Sequence, residues 1–201
     1  MARKKRIGNK NRSSLSDNDL VQFIREKDSQ KYVEIIKRYQ GKLLVYLYRL
    51  IGSRQDAEDI LQNVFIKAYK DLYKYDVKRK FSSWIYRIAH NEAVNYLKRK
   101  SLKKFIPWEN IITTKDQLKM SHSSERPDKI WFRKETSQEV NRVLDKLPLK
   151  YKRVLILRYY SRKSYKEISK ILGKPVNTVG ILIHRAKKKI ICGDEKANKK
   201  K

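Results

Sequence analysis

The stretch Ser164-Tyr165-Lys166-Glu167-Ile168-Ser169-Lys170-Ile171-Leu172-Gly173-Lys174-Pro175-Val176-Asn177-Thr178-Val179-Gly180-Ile181-Leu182-Ile183-His184-Arg185-Ala186 reads as two helices joined by a tight turn. The Ser164 hydroxyl can accept from the third backbone N–H while Glu167 reaches back to the Ser164 N–H, a reciprocal cap that starts a helix. Ile168, Ile171 and Leu172 give that helix an apolar side, and Gly173 ends it. After Lys174-Pro175 a second helix sets Val176, Val179, Ile183, Ala186 and Ile190 on one line at spacings of three and four. Helix, glycine turn, helix is the arrangement whose second helix enters the major groove and reads base edges with its early residues.

At about 100° per residue, the face opposite that line carries Asn177, Ile181, His184 and Lys188, flanked by Thr178 and Arg185, with Lys174 in the turn. Asn177 suits an adenine edge. Arg185, Lys187, Lys188 and Lys189 suit phosphates, where they give affinity without sequence choice. The plain alternative is a capped helix pair belonging to any helical bundle, and it must be weighed against the charge of the whole chain.

That charge is large. Among 201 residues, 51 Lys+Arg stand against 21 Asp+Glu, a net charge of +30, which calls for a polyanionic partner. The 40% hydrophobic content, with 13 Tyr, is too high for a disordered basic tail, so the chain should fold. No segment approaches an uninterrupted apolar span, and the basic run Arg3 to Arg6 is followed by Gly8-Asn9-Lys10, not by an apolar signal core; a cytoplasmic protein is expected. One cysteine, Cys192, and three histidines leave no structural zinc or other metal site, and no Gly-rich phosphate loop, GxSxG elbow or paired carboxylates in an apolar setting are present. The expectation is a non-enzyme without cofactor.

Scarce glycine and proline and helical spacing of apolar residues predict an all-α fold: two small helical domains joined by a flexible linker. Residues 1–14, with six basic side chains and no acidic ones, read as a flexible arm. Helices are predicted from Ser16, from about Ser29 to Ile51 with Gly52 just past the end, and from Ser53 with Ala57, Ile60, Leu61, Val64, Phe65, Ala68 and Leu72 buried. After a break from Lys74 to Lys80, the segment Phe81 to Lys100 buries Phe81, Trp84, Ile85, Ile88 and Ala89 and leaves Arg87, Asn91, Asn95, Lys98 and Arg99 outward. The span 74–104 holds ten basic and two acidic residues. The first domain thus covers 15–100, a linker 101–134, the second domain 135–192 and a basic tail 193–201. Val140, Val143, Leu144 and Leu147 open the second domain, followed by a helix from Tyr151 to Tyr160.

Three motifs in series, Asp56-Ala57-Glu58-Asp59-Ile60-Leu61-Gln62-Asn63-Val64-Phe65, Phe81-Ser82-Ser83-Trp84-Ile85-Tyr86-Arg87-Ile88-Ala89-His90-Asn91, and Ser164 to Ala186, resemble the bacterial RNA polymerase sigma factors of the extracytoplasmic-function group of the sigma-70 family. The resemblance spans about 17–100, the family's region two, and 135–190, its region four. It implies that Asp59, Gln62 and Asn63 face core RNA polymerase, although Asn63 stands where the family usually has Glu. Asp56 and Glu58 serve either that contact or the helix macrodipole.

The resemblance further implies that the loop Tyr75 to Lys80, with Lys78 and Arg79, holds a base flipped from promoter DNA. The helix carrying Arg87, Asn91, Asn95, Lys98 and Arg99 then follows the non-template strand. Cations, amides and aromatic faces are the chemistry single strands require. Tyr75 is the stacking candidate, with Phe81 and Trp84 in the core. Region four binds upstream duplex. Where relatives carry Lys-Ser-Arg after Thr-Val, this chain has Gly180-Ile181-Leu182; Ile181 either packs on thymine methyls or meets a protein partner.

The function expected is a sigma factor that binds core polymerase, recognises and melts promoter DNA and starts transcription, with an anti-sigma protein as a further partner. The alternatives are a freestanding helix-turn-helix regulator acting without polymerase, and a general architectural nucleic-acid-binding protein.

Overall fold

The structure, a computed structural model, describes residues 15–103 and 143–198, with side chains for 15–102 and 143–191. The expected arm, the linker from residue 104 on, the opening of the second domain up to 142 with Val140, and the tip of the tail lie outside the described residues, while residues 101–103, expected in the linker, still belong to a helix. Among the described residues the chain is helical, without a strand.

The first unit begins with α1 (Asp17–Glu26), started by the Ser16 hydroxyl, which accepts from the Asp19 N–H at 3.2 Å. After a 3-10 turn (Ser29–Lys31) comes α2 (Tyr32–Ile51), which ends because Gly52 takes φ +88°, open to glycine without a Cβ penalty. Ser53 caps α3 (Arg54–Lys70) by accepting from the Asp56 N–H at 3.3 Å. The helix stops before Leu72, which lies in a 3-10 turn (Leu72–Lys74) and is buried all the same. The long helix α4 (Phe81–Lys103) completes the unit. In its core Ala57, Val64 and Ala68 of α3 and Ile85 and Ala89 of α4 are fully buried, as the spacing predicted, against Ile35, Leu43 and Leu47 of α2, whereas Leu61 and Ile88, predicted buried, are half-buried at its margin. Truncating such a leucine to alanine costs about 2–5 kcal/mol.

The second unit contains α5 (Leu149–Leu155), continuing into a π-helical turn (Ile156–Tyr160), then α6 (Tyr165–Leu172) and α7 (Val176–Asn198). The helix predicted from Tyr151 therefore starts two residues earlier, directly after Pro148, whose fixed φ suits a helix entrance. The capping box at α6 is complete: the Ser164 N–H donates to Glu167 at 2.9 Å and the Glu167 N–H to the Ser164 hydroxyl at 3.2 Å. Gly173, at φ +61°, ends α6 and turns the chain into α7.

The two units share a wall. Helix α6 packs on α4, and the π-helical turn packs on α2. Lys163, in the turn before α6, donates to the Ser82 hydroxyl at 3.2 Å and lies 4.4 Å over the Tyr86 ring. Its burial pushes the Lys163 ammonium down from the ordinary lysine value, with Glu167 opposing. The Arg49 guanidinium stacks 3.6 Å from the Tyr160 ring centre, and Lys80 pairs with Glu167 at 2.8 Å.

Candidate nucleic-acid interface

Helix α4 has two sides. Phe81, Ile85, Ala89 and Ala93 face the core, while Arg87, Asn91, Asn95, Lys98 and Arg99 are all exposed and recur every three or four residues or adjacent to one another. The result is one outward ladder of cations and amides. At its N-terminal end is a concavity of about 390 Å³ lined by Lys74, Tyr75, Asp76, Arg79, Trp84, Arg87, Ile88 and Asn91. Lys78, Arg79 and Lys80 are exposed beside it.

Tyr75 departs from the sequence reading. It was expected to offer a face for stacking, but the residue is only 3% exposed. Its ring meets Phe81 edge-on at 5.3 Å and Trp84 at 4.9 Å, and its hydroxyl donates to Asn18 Oδ1 at 2.9 Å and also contacts the Arg79 carbonyl. Burial pushes the phenol up to about 12. The ring is part of the lining of the concavity. Trp84, expected in the core, is half-buried and lines the same concavity, so it and not Tyr75 keeps aromatic surface toward solvent. Phe81 is buried as expected, at 1% exposed.

The loop backbone is held by α1. Asn18 Nδ2 donates to the Val77 carbonyl at 2.6 Å and to the Arg79 carbonyl at 3.0 Å; Arg25 Nε donates to the Leu72 carbonyl at 3.0 Å, and its Nη2 reaches the Leu72 and Tyr75 carbonyls. Sequence reasoning missed both residues, which lie 47 to 61 positions from the carbonyls they bind. No local pattern announces such a pairing.

On α3, Asp59, Gln62 and Asn63 are exposed together on the side away from Ala57, Ile60 and Val64. Asp56 and Glu58 are engaged within the unit: Asp56 receives Lys100 at 3.3 Å and Glu58 pairs with Arg54 at 2.8 Å. Contact with Tyr96, then Ser53 and Lys100, holds the Asp56 carboxyl below its usual value against burial. On α7, Asn177, Ile181, His184, Arg185 and Lys188 are exposed on one face, with Lys174 and Thr178 half-buried at its edge, while Val179, Ile183 and Ala186 fill the core.

Residues 35–102 match the family described as Sigma-70 region 2, and residues 137–190 that described as Sigma-70, region 4. The chain is 32% identical over 170 residues to the ECF RNA polymerase sigma factor SigW of Bacillus subtilis, covering 83% of this chain and 90% of that protein. It is 31% identical over 182 residues to the ECF RNA polymerase sigma-E factor of Escherichia coli K12, covering 88% and 93%. The chain belongs to the extracytoplasmic-function sigma factors of the sigma-70 family.

As a sigma factor it binds core RNA polymerase and directs promoter recognition, which a freestanding regulator would not explain; proteins of this family are known as transcription initiation factors, not enzymes. CnrH in complex with the cytosolic domain of CnrY has the same fold, with a TM-score of 0.64 at 20% identity, covering 89% of this chain and 97% of that one. The sigma factor RpoE of Bartonella quintana, in complex with the anti-sigma factor NepR, gives 0.58 at 17% identity, covering 81% and 92%. No helix among the described residues of this sigma factor is long and apolar enough to cross a membrane.

Proposed function

We propose that this sigma factor opens promoter DNA along α4 and holds the upstream duplex on α7. The observation that carries the reading is the outward ladder Arg87, Asn91, Asn95, Lys98 and Arg99 running from the concavity that Trp84 lines. Its cations neutralise phosphates and its amides pair with base edges. The concavity has room for one flipped base, whose extraction costs a few kcal/mol. Lys78, Arg79 and Lys80 supply charge at its rim. Asp59, Gln62 and Asn63 form the polymerase-facing side of α3. On α7, Asn177, Ile181 and His184 lie toward base edges, with Lys174, Thr178, Arg185 and Lys188 toward phosphates.

The working units on this reading are residues 15–100 and 135–192, joined by 101–134, with the arm 1–14 and tail 193–201 adding charge. The protein acts in the cytoplasm, catalyses no reaction of its own and uses neither cofactor nor metal. The complex of the Bartonella quintana relative with NepR supports an anti-sigma partner for this chain too.

Run-off transcription by core polymerase on a library of promoter fragments tests the reading. Start sites that appear only when the protein is added are expected. Equal initiation with and without it would overturn the proposal.

A further inference from the structure

Ile181 stands in the middle of the outward face of α7, between Asn177 one turn before and His184 and Arg185 one turn after, and it is 51% exposed. An aliphatic side chain at this place is not required by the fold. The core of this unit is filled from the other side of α7 by Val179, Ile183 and Ala186. Nor does the neighbouring Gly180 mark a backbone constraint: it has no positive φ, and a Cβ there would meet only Tyr165 Cε2, at an ordinary 3.7 Å. The absence of a side chain at 180 and the apolar one at 181 therefore belong to the chemistry of the face.

The surroundings decide the occupant. From Lys174 to Ile191 the chain carries Lys174, Arg185, Lys187, Lys188 and Lys189 and no acidic residue, a field that draws a polyanion. In a major groove most base edges present polar donors and acceptors, which an isoleucine would desolvate without return. The exception is the C5 methyl of thymine. Resting on the duplex-binding role proposed for α7, we infer that Ile181 is a specificity-determining residue that packs on a thymine methyl in the upstream promoter duplex.

The register follows from helix geometry. Asn177 and Ile181 are four residues apart, about one helical turn, and residues so spaced on a helix set at an angle in the major groove reach successive bases. The thymine read by Ile181 thus falls at a base pair next to the one read by Asn177.

The test uses holoenzyme assembled from the full chain and core polymerase. Duplex promoter fragments enriched by this holoenzyme from a random library are resynthesised with deoxyuridine in place of thymidine, one position at a time. This removes a single methyl and leaves every hydrogen bond in place. The expected result is one upstream position at which the swap weakens binding about fourfold, the equilibrium factor of one buried methyl group. Ile181→Ala, at an exposed helical position, should fold normally and bind both versions equally. Asn177→Ala should keep the deoxyuridine sensitivity and lose discrimination at a different base pair.

Insensitivity of the wild-type holoenzyme at every position overturns the inference, as does undiminished sensitivity in Ile181→Ala. Unchanged DNA binding of Ile181→Ala on all fragments also overturns it and assigns the side chain to a protein partner. Failure of the holoenzyme to enrich any fragment would instead sink the proposed function itself.

Discussion

The Lys80 ammonium lies 2.8 Å from the Glu167 carboxylate, so a cation of the loop beside the concavity is held by the capping residue of a helix in the other unit. Burial alone would raise the Glu167 carboxyl, but Lys80 and then the Ser164 N–H bring it down to about 2 from 4.5. A depressed carboxylate contributes stability that is complete above pH 4.5 and lost as pH falls toward 2. With Lys80 65% exposed, the pair is worth at most about 1 kcal/mol after solvent screening. Glu167→Gln should change the melting temperature little and strengthen binding of single-stranded promoter oligonucleotides, read by fluorescence anisotropy, because Lys80 is released. Unchanged affinity would show that Lys80 takes no part in strand binding.

Asn18 ties the backbone at Val77 and Arg79 to α1. Asn18→Leu removes both bonds, and the one Asn18 accepts from the Tyr75 hydroxyl, and leaves the α3 face untouched. Open-complex formation, followed by permanganate reactivity of unpaired thymines, is expected to fall several-fold while core polymerase affinity stays the same. Loss of both together would mean that α1 itself has come away.

His90 is 5% exposed, and its Nδ1 faces the Tyr46 hydroxyl at 2.9 Å. Burial, then the nearby Arg153 guanidinium, push the imidazole down to about 4 from 6.5. Between these values the unfolded chain binds a proton that the folded one refuses, so stability is full above pH 6.5 and declines as pH falls toward 4. The expected loss from pH 6.5 to 5 is roughly 2 kcal/mol in urea unfolding. His90→Phe should abolish this limb and lower stability at pH 7 by about 1–3 kcal/mol, since the Tyr46 hydroxyl loses its partner.

Lys98 and Arg99 end the exposed ladder on α4. Replacing both with alanine should weaken DNA binding without changing which sequence is preferred, and reduce the slope of log affinity against log salt by roughly one to two. An unaltered slope would place the strand elsewhere.

Asp59→Ala with Gln62→Ala should weaken the complex with core polymerase in gel filtration while leaving the unfolding free energy within about 0.5 kcal/mol of wild type, since both side chains are exposed.

What could be read in advance was local. Ser16, Ser53, Gly52, Ser164 with Glu167, and Gly173 announce helix ends through contacts spanning a few residues, and the structure places those ends there. The outward residues of α4 and α7 were legible for the same reason, since a single helix turns about 100° per residue whatever surrounds it. Tyr75 was not: a loop tyrosine reads as exposed until Asn18, Phe81 and Trp84 are seen to enclose it, and those partners come from two other helices. The inward course of Lys163 was equally hidden. A lysine in a basic chain looks like surface, and only the α4 wall, with Ser82 buried in it, makes it otherwise.

Not all of the chain's positive charge is therefore available for gripping DNA. Lys152, 7% exposed and 2.7 Å from Asp145, and Lys163, seated on a tyrosine ring, are structural cations whose neutralisation would disturb packing and leave the ionic-strength response of DNA binding where it was. A tally of basic residues overstates the number of counterions this protein releases on meeting a promoter.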